Sequence, residues 1–228
     1  MMLEPAEWAA LLLSLRVSFV AVLVSLPLAV YVAWLLARGQ FRGHALLSAF
    51  VHLPLVLPPV VTGYLLLLTF GRNGAIGGML ESIGIVLAFR WTGAALAAAI
   101  MGFPLMVRAI RLSIEAVDPK LEEAAATLGA SRWAVFMRVT LPLIAPGILA
   151  GTVLGFAKAM GEFGATITFV ANIPGETQTL PSAIYAFLQV PGGEGGAMRL
   201  LVLSLIVAVG AVLVSEWLAR RMAARARA

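Results

Sequence analysis

The chain has 228 residues, 61% of them hydrophobic and only 12% charged, with a mean hydropathy of +1.00. Soluble domains carry about 25% charged residues, so this composition excludes a water-soluble protein and defines an integral membrane one. There is no cysteine, which excludes disulfides and thiolate metal sites. The net charge of +5 is spread over the ends of apolar runs, which points to the lipid bilayer rather than to nucleic acid.

The first residues carry Glu4 and Glu7 and no basic cluster, so no cleavable leader is expected. A span needs about 20 apolar residues, and five stretches qualify: 17–37, 45–70, 91–107, 139–160 and 200–218. The second contains Pro54, Pro58 and Pro59, the third Pro104, and the fourth Pro142 and Pro146 near its start. Prolines break the helical hydrogen-bond ladder, and backbone freed at membrane depth survives only where protein or a cavity satisfies it. A bent second span therefore fits beside a pathway, and equally fits a kink near the interface. His44 and His52 have no metal-ligand spacing and read as interface or core residues.

Lys and Arg in short loops set orientation. With the ends alternating, one side receives Arg38, Arg42, Arg108, Arg111, Lys120, Arg132, Arg138, Arg220, Arg221, Arg225 and Arg227, eleven in all. The other receives Arg72, Arg90 and Arg199, with Arg16 and Lys158 near span ends. The bias places the N-terminus outside and the C-terminus in the cytosol, and a further half-span in 162–189 would have to re-enter.

Segment 118–138 is a polar island on the cytosolic side. Asp118 is a good N-cap with Pro119 at the first helical position, and Glu122 and Glu123 lie in the early turns. Gly129 suits the left-handed residue that ends a helix, and Ser131 caps a second helix from Arg132 into the apolar run beyond Pro142. Ala124, Ala125 and Leu128 share a face of small residues that a partner surface approaches closely. The plainer alternative is a solvated connector.

Lys158 reaches the outer interface, with Glu162 four residues on as its partner. The pair reads as a snorkelling salt bridge or as a charge at the outer gate of an anion path, and Arg16 allows the same two readings. Beyond it, 161–196 reads as an outer loop: turn residues at Asn172–Gly175, then Pro181 starting a short helix over 182–189 that lies along the membrane surface. Ser14, Ser18, Ser25, Thr62, Thr166 and Thr168 are candidate pathway hydroxyls, with Pro58 and Pro59 at the gate. No glycine turn carries the Lys-Ser/Thr of a phosphate-cradling loop, so an ATPase is not expected in this chain.

Glu123, Ala124, Ala125, Gly129, Val139, Leu141 and Pro142 together resemble the signature of the membrane subunits of bacterial ABC importers, with Val139 where isoleucine is commoner. The segments 52–61, 103–111, 161–166 and 172–177 are similar to its molybdate branch. The resemblance covers nearly the whole chain. It implies an all-α type I ABC importer (MetI-like) transmembrane domain over about 11–217 of a single membrane domain, with five spans or six, and 118–138 as its cytosolic coupling segment. Glu122, Glu123, Ala124, Ala125, Leu128, Gly129 and Arg132 would couple to the ATPase, and Lys158, Glu162, Thr166, Thr168, Pro58 and Pro59 would belong to the pathway. It implies a multi-pass permease of the bacterial inner membrane for molybdate or tungstate, itself not an enzyme and holding no cofactor. Its partners would be a second copy, a cytosolic ATPase dimer using ATP and Mg, and a periplasmic oxyanion-binding protein. A permease for another oxyanion such as sulfate, a stand-alone channel or carrier, and a membrane anchor without a pathway are the competing readings.

Overall fold

The computed structural model describes residues 4–226, with the side chains of Ser215, Ala219, Arg220 and 222–226 outside the description. The charges assigned above to Arg220, Arg225 and Arg227 thus lie outside the described residues. The chain is all-helical: α1 Pro5–Arg38, α2 His44–Val56, α3 Pro59–Phe70, α4 Ala75–Ser82, α5 Trp91–Glu115, α6 Pro119–Thr127, α7 Arg132–Val135, α8 Leu141–Met160, α9 Gly164–Val170, α10 Leu180–Leu188 and α11 Glu194–Ala226. One π-helical turn, Phe136–Thr140, joins α7 to α8.

Four of these helical stretches are long and apolar enough to cross a membrane, or five if α2 and α3 together make one. Three of them, α1, α5 and α8, form the centre of the bundle, and α11 lies against α8 and α10. Lipid tails are as apolar as leucine, so spans adhere through close packing of small residues. The seam between α5 and α8 shows this: Gly147, Gly151 and Gly155 recur every fourth residue on α8 and face α5. A Cβ on Gly155 would sit 2.6 Å from Met106 Cγ.

The expected spans are right in place and short in extent. The first extends N-terminally to Pro5, because Arg16 interrupts the apolar run without interrupting the helix. Its guanidinium lies 3.8 Å over the ring of Trp91. The third continues past Val107 to Glu115 as an amphipathic turn in which Ile110 and Ile114 are buried and Arg108 is exposed. The fourth runs back continuously to Arg132. Its π-helical turn precedes Pro142 and Pro146, whose missing N–H groups already thin the ladder there.

The expected second span, 45–70, is not one bent helix but two, meeting at 114°. Pro54 stays inside α2, and the break falls at Leu57 and Pro58, both extended. Pro59 then opens α3 at its first position, where a missing N–H costs nothing.

The segment read as an outer loop is also corrected. Residues 164–170 form α9, which packs on α3 and α5 and buries Ala165, Thr166, Phe169 and Val170. The short helix after it starts at Leu180 rather than 182 and does not simply lie on the membrane surface. It buries Leu180, Ser182 and Ala183 between α1 and α11, and the amide of Leu180 donates to Ser14 Oγ at 2.7 Å. Glu7, itself buried, closes this end through an ion pair with Arg199 of α11 at 2.8 Å.

Candidate functional site

At the end of the bundle where α1 and α5 finish, α6 stands clear of the spans. Asp118 caps it by accepting from the Lys120 amide at 3.0 Å, Ser131 caps α7 by accepting from the Ala134 amide at 3.3 Å, and Gly129 between them has φ +85°. These three features match the sequence reading. No residue of α6 is buried, and Leu128 just past it is 89% exposed.

Glu122 is the exception to this outward face. Its Oε1 accepts from Thr140 Oγ1 at 2.7 Å, and its Oε2 pairs with Arg38 Nε at 3.4 Å. Arg38 in turn donates through Nη2 to the carbonyl of Val117 at 2.9 Å. One carboxylate therefore ties α6 to the end of α1 and to the π-helical turn leading into α8, and through Arg38 to Val117 just past α5. Glu123 and Arg132 line a cavity of about 420 Å³ together with Arg38, Trp34, Phe136 and Thr140. Ala124 is exposed and Ala125 half-buried. Glu122, expected among the coupling residues, turns inward to Thr140 and Arg38 rather than outward with the rest of α6.

A second cluster lies at the far end of α8. Lys158 Nζ donates to Glu162 Oε2 at 2.7 Å, and the other oxygen, Oε1, accepts from the Ala165 amide at 3.0 Å. Glu162 is 2% exposed, so it does not snorkel to water; Lys158 does so in part. The pair fixes the start of α9 to the end of α8. The α9 helix then meets α3 at two glycines: a Cβ on Gly63 would fall 2.5 Å from the Ala165 carbonyl oxygen, and one on Gly164 would fall 2.7 Å from Pro59 Cβ.

The candidate pathway hydroxyls divide. Ser14 is taken up by Leu180, Ser25 donates to the Ala21 carbonyl, and Thr168 donates to the Gly164 carbonyl at 2.8 Å. Thr166 is buried on α9. Thr62 Oγ1 and Ser18 Oγ are buried without a hydrogen-bond partner, and nothing in the structure explains why. Pro58 and Pro59 are exposed at the α2–α3 break. His44 and His52 each bond a backbone carbonyl of their own neighbourhood, Leu36 and Ser48. Among the described residues no three His, Asp or Glu side chains gather as a metal site. Sequence reasoning missed the buried Glu7–Arg199 pair and the Gly147/Gly151/Gly155 seam, although the four-residue spacing of the glycines was a readable signal.

A helical bundle with several membrane-long helices, two broken half-helices and a capped helix projecting from one end is the frame of a transport permease. The chain belongs to the family described as binding-protein-dependent transport system inner membrane component, matched over residues 25–227. It is a multi-pass translocation subunit, not an enzyme. It is 62% identical over 221 residues to the molybdenum transport system permease protein ModB of Escherichia coli strain K12, covering 96% of each chain. It is 58% identical over 217 residues to the ModB of Haemophilus influenzae, covering 95% of each. Its fold matches a crystal structure of a bacterial ABC transporter involved in the import of the acidic polysaccharide alginate, at TM-score 0.76 and 21% identity over 96% of this chain and 80% of that one.

Proposed function

We propose that this chain is the permease subunit of an ATP-driven bacterial importer of molybdate. Two copies line one pathway. A pair of ATPase subunits, using ATP and Mg, sits on the cytosolic face, and a periplasmic oxyanion-binding protein delivers the anion on the other. The N-terminus lies outside, and the inner membrane is the site of action.

The single observation that carries the transport reading is α6: capped at its start, largely exposed, yet fastened by Glu122 to α1 and to the turn leading into α8. A solvated connector has no need of that fastening. A helix that receives force from a partner does. The permease names of the close relatives support the substrate, as does the absence of acidic side chains from the middle of the spans. Lys158 and Glu162 set the position of α9 beside α3, and movement of that pair opens or closes the outer half of the path.

The test is uptake by vesicles holding this chain, its ATPase and its binding protein. Molybdate should enter only with ATP, and sulfate at most slowly. Ala125→Arg should abolish uptake while the chain still inserts in the membrane. Uptake by that variant at the parental rate would overturn α6 as the coupling element, and equal uptake of sulfate would overturn the substrate.

A further inference from the structure

A cavity of about 600 Å³ lies at the Arg16 end of the bundle, lined neither by α6 nor by the Lys158–Glu162 pair on which the proposed function rests. Its chemistry is that of an anion site. Arg16 and Arg90 both line it, and neither makes an ion pair with any described residue. The Thr92 hydroxyl, also on the lining, has no hydrogen-bond partner among the described residues. Trp91 supplies an aromatic face on which the Arg16 guanidinium is already stacked at 3.8 Å. Glu176, on the loop after α9, is the acid on the rim. Two exposed guanidiniums, one stacked on an indole, and a buried hydroxyl match the oxygens of a tetrahedral oxyanion.

The position of Arg16 says how that oxyanion arrives. Along α1 it follows Leu12 by one turn and precedes Phe19 by one, and these neighbours are 59% and 61% exposed. Arg16 therefore interrupts an exposed apolar stripe on α1. It stands about 33 Å along the helix from Arg38, close to the thickness of a bilayer core of about 30 Å. A cation at that depth, beside an interfacial tryptophan, meets headgroups.

We propose that this cavity binds a tetrahedral oxyanion presented as the phosphate of a lipid headgroup. The proposal rests only on the chain spanning a membrane and not on its substrate.

The test is native mass spectrometry of the detergent-purified permease–ATPase complex, titrated with dioleoylphosphatidylglycerol. The intact complex should retain the lipid, and R16Q and R90Q should each weaken retention about fivefold. The charge-keeping R16K/R90K chain should retain it more tightly than the double glutamine variant though less than the parent, which separates loss of the site from loss of the fold. Equal retention by the parent and the double glutamine variant would overturn the site. Millimolar inorganic phosphate or molybdate should leave the lipid in place; displacement of the lipid by either would overturn the lipid source and give the cavity to a free oxyanion.

Discussion

Glu122 has two oxygens and a different helix on each. Replacing it with alanine removes the acceptor of Thr140 and the counter-charge of Arg38 together. A hydrogen bond to a charged group is worth about 1.5–3 kcal/mol; because the side chain is 22% exposed, a loss near the lower end, about 1.5 kcal/mol, is expected. Thermal unfolding of the purified complex reads that loss, and ATP hydrolysed per molybdate imported should rise. Lys158 and Glu162 predict an asymmetry. Lys158→Ala leaves a buried carboxylate without its cation and should cost about 2 kcal/mol, reduced from the deeper-pair range because the lysine is partly exposed. Glu162→Gln leaves a lysine that reaches water and should cost about 1 kcal/mol. A denaturation series in which the two single changes cost the same would remove the case for a buried anchor. At this scale the sequence disclosed what is local. Asp118 and Ser131 accept from amides two and three residues on, Gly129 turns the chain through its own positive φ, and Lys158 meets Glu162 one turn on, so spacing alone reveals them. Arg38 and Thr140 reach Glu122 through tertiary folding, which no spacing encodes, and Glu7 finds Arg199 only because α10, packed on both α1 and α11, brings their N-terminal ends together.

Elements depend on how closely two backbones approach. The α3–α9 crossing is made at Gly63 and Gly164, and Gly63→Ala would drive a methyl onto the Ala165 carbonyl. The expected result is a lower thermal midpoint and slow uptake. Gly210→Ala on α11 is the contrast, since nothing lies within 4 Å of its added Cβ. That change should be neutral or stabilise by about 0.5–1 kcal/mol through helix propensity, and equal damage at both positions would dismiss the crossing as the cause. The existence of each long helix was legible from apolar length. Their ends were not, because amphipathic turns such as 108–115 and 132–138 are helical without being oily. The prolines of 54–59 announced a break, but the 114° angle is set by what α3 packs against, and α9 was invisible as a helix because seven residues carry too few periods.

The molecule as a whole is open to topology mapping without background, since it lacks cysteine. A cysteine at Lys120 should react with a membrane-impermeant maleimide only from the cytosolic face, and one at Pro174 only from the opposite face. The reverse pattern would put α6 out of reach of any ATPase. The all-helical membrane fold class was readable because hydropathy sums over the whole chain, whereas the packing of α10 between α1 and α11 is a long-range arrangement with no such summed signal. The arrangement around Glu122 has one more consequence. A rope carries tension only; a strut carries compression too. Were α6 attached by its two flanking loops alone, a partner could tug the spans and never shove them. With Arg38 braced on Val117 and Glu122 and with Glu122 braced on Thr140, the ends of three long helices form a collar. On the proposed coupling, such a collar would turn both the closing and the opening stroke of a motor into tilt, and the return to the starting posture would be driven rather than awaited.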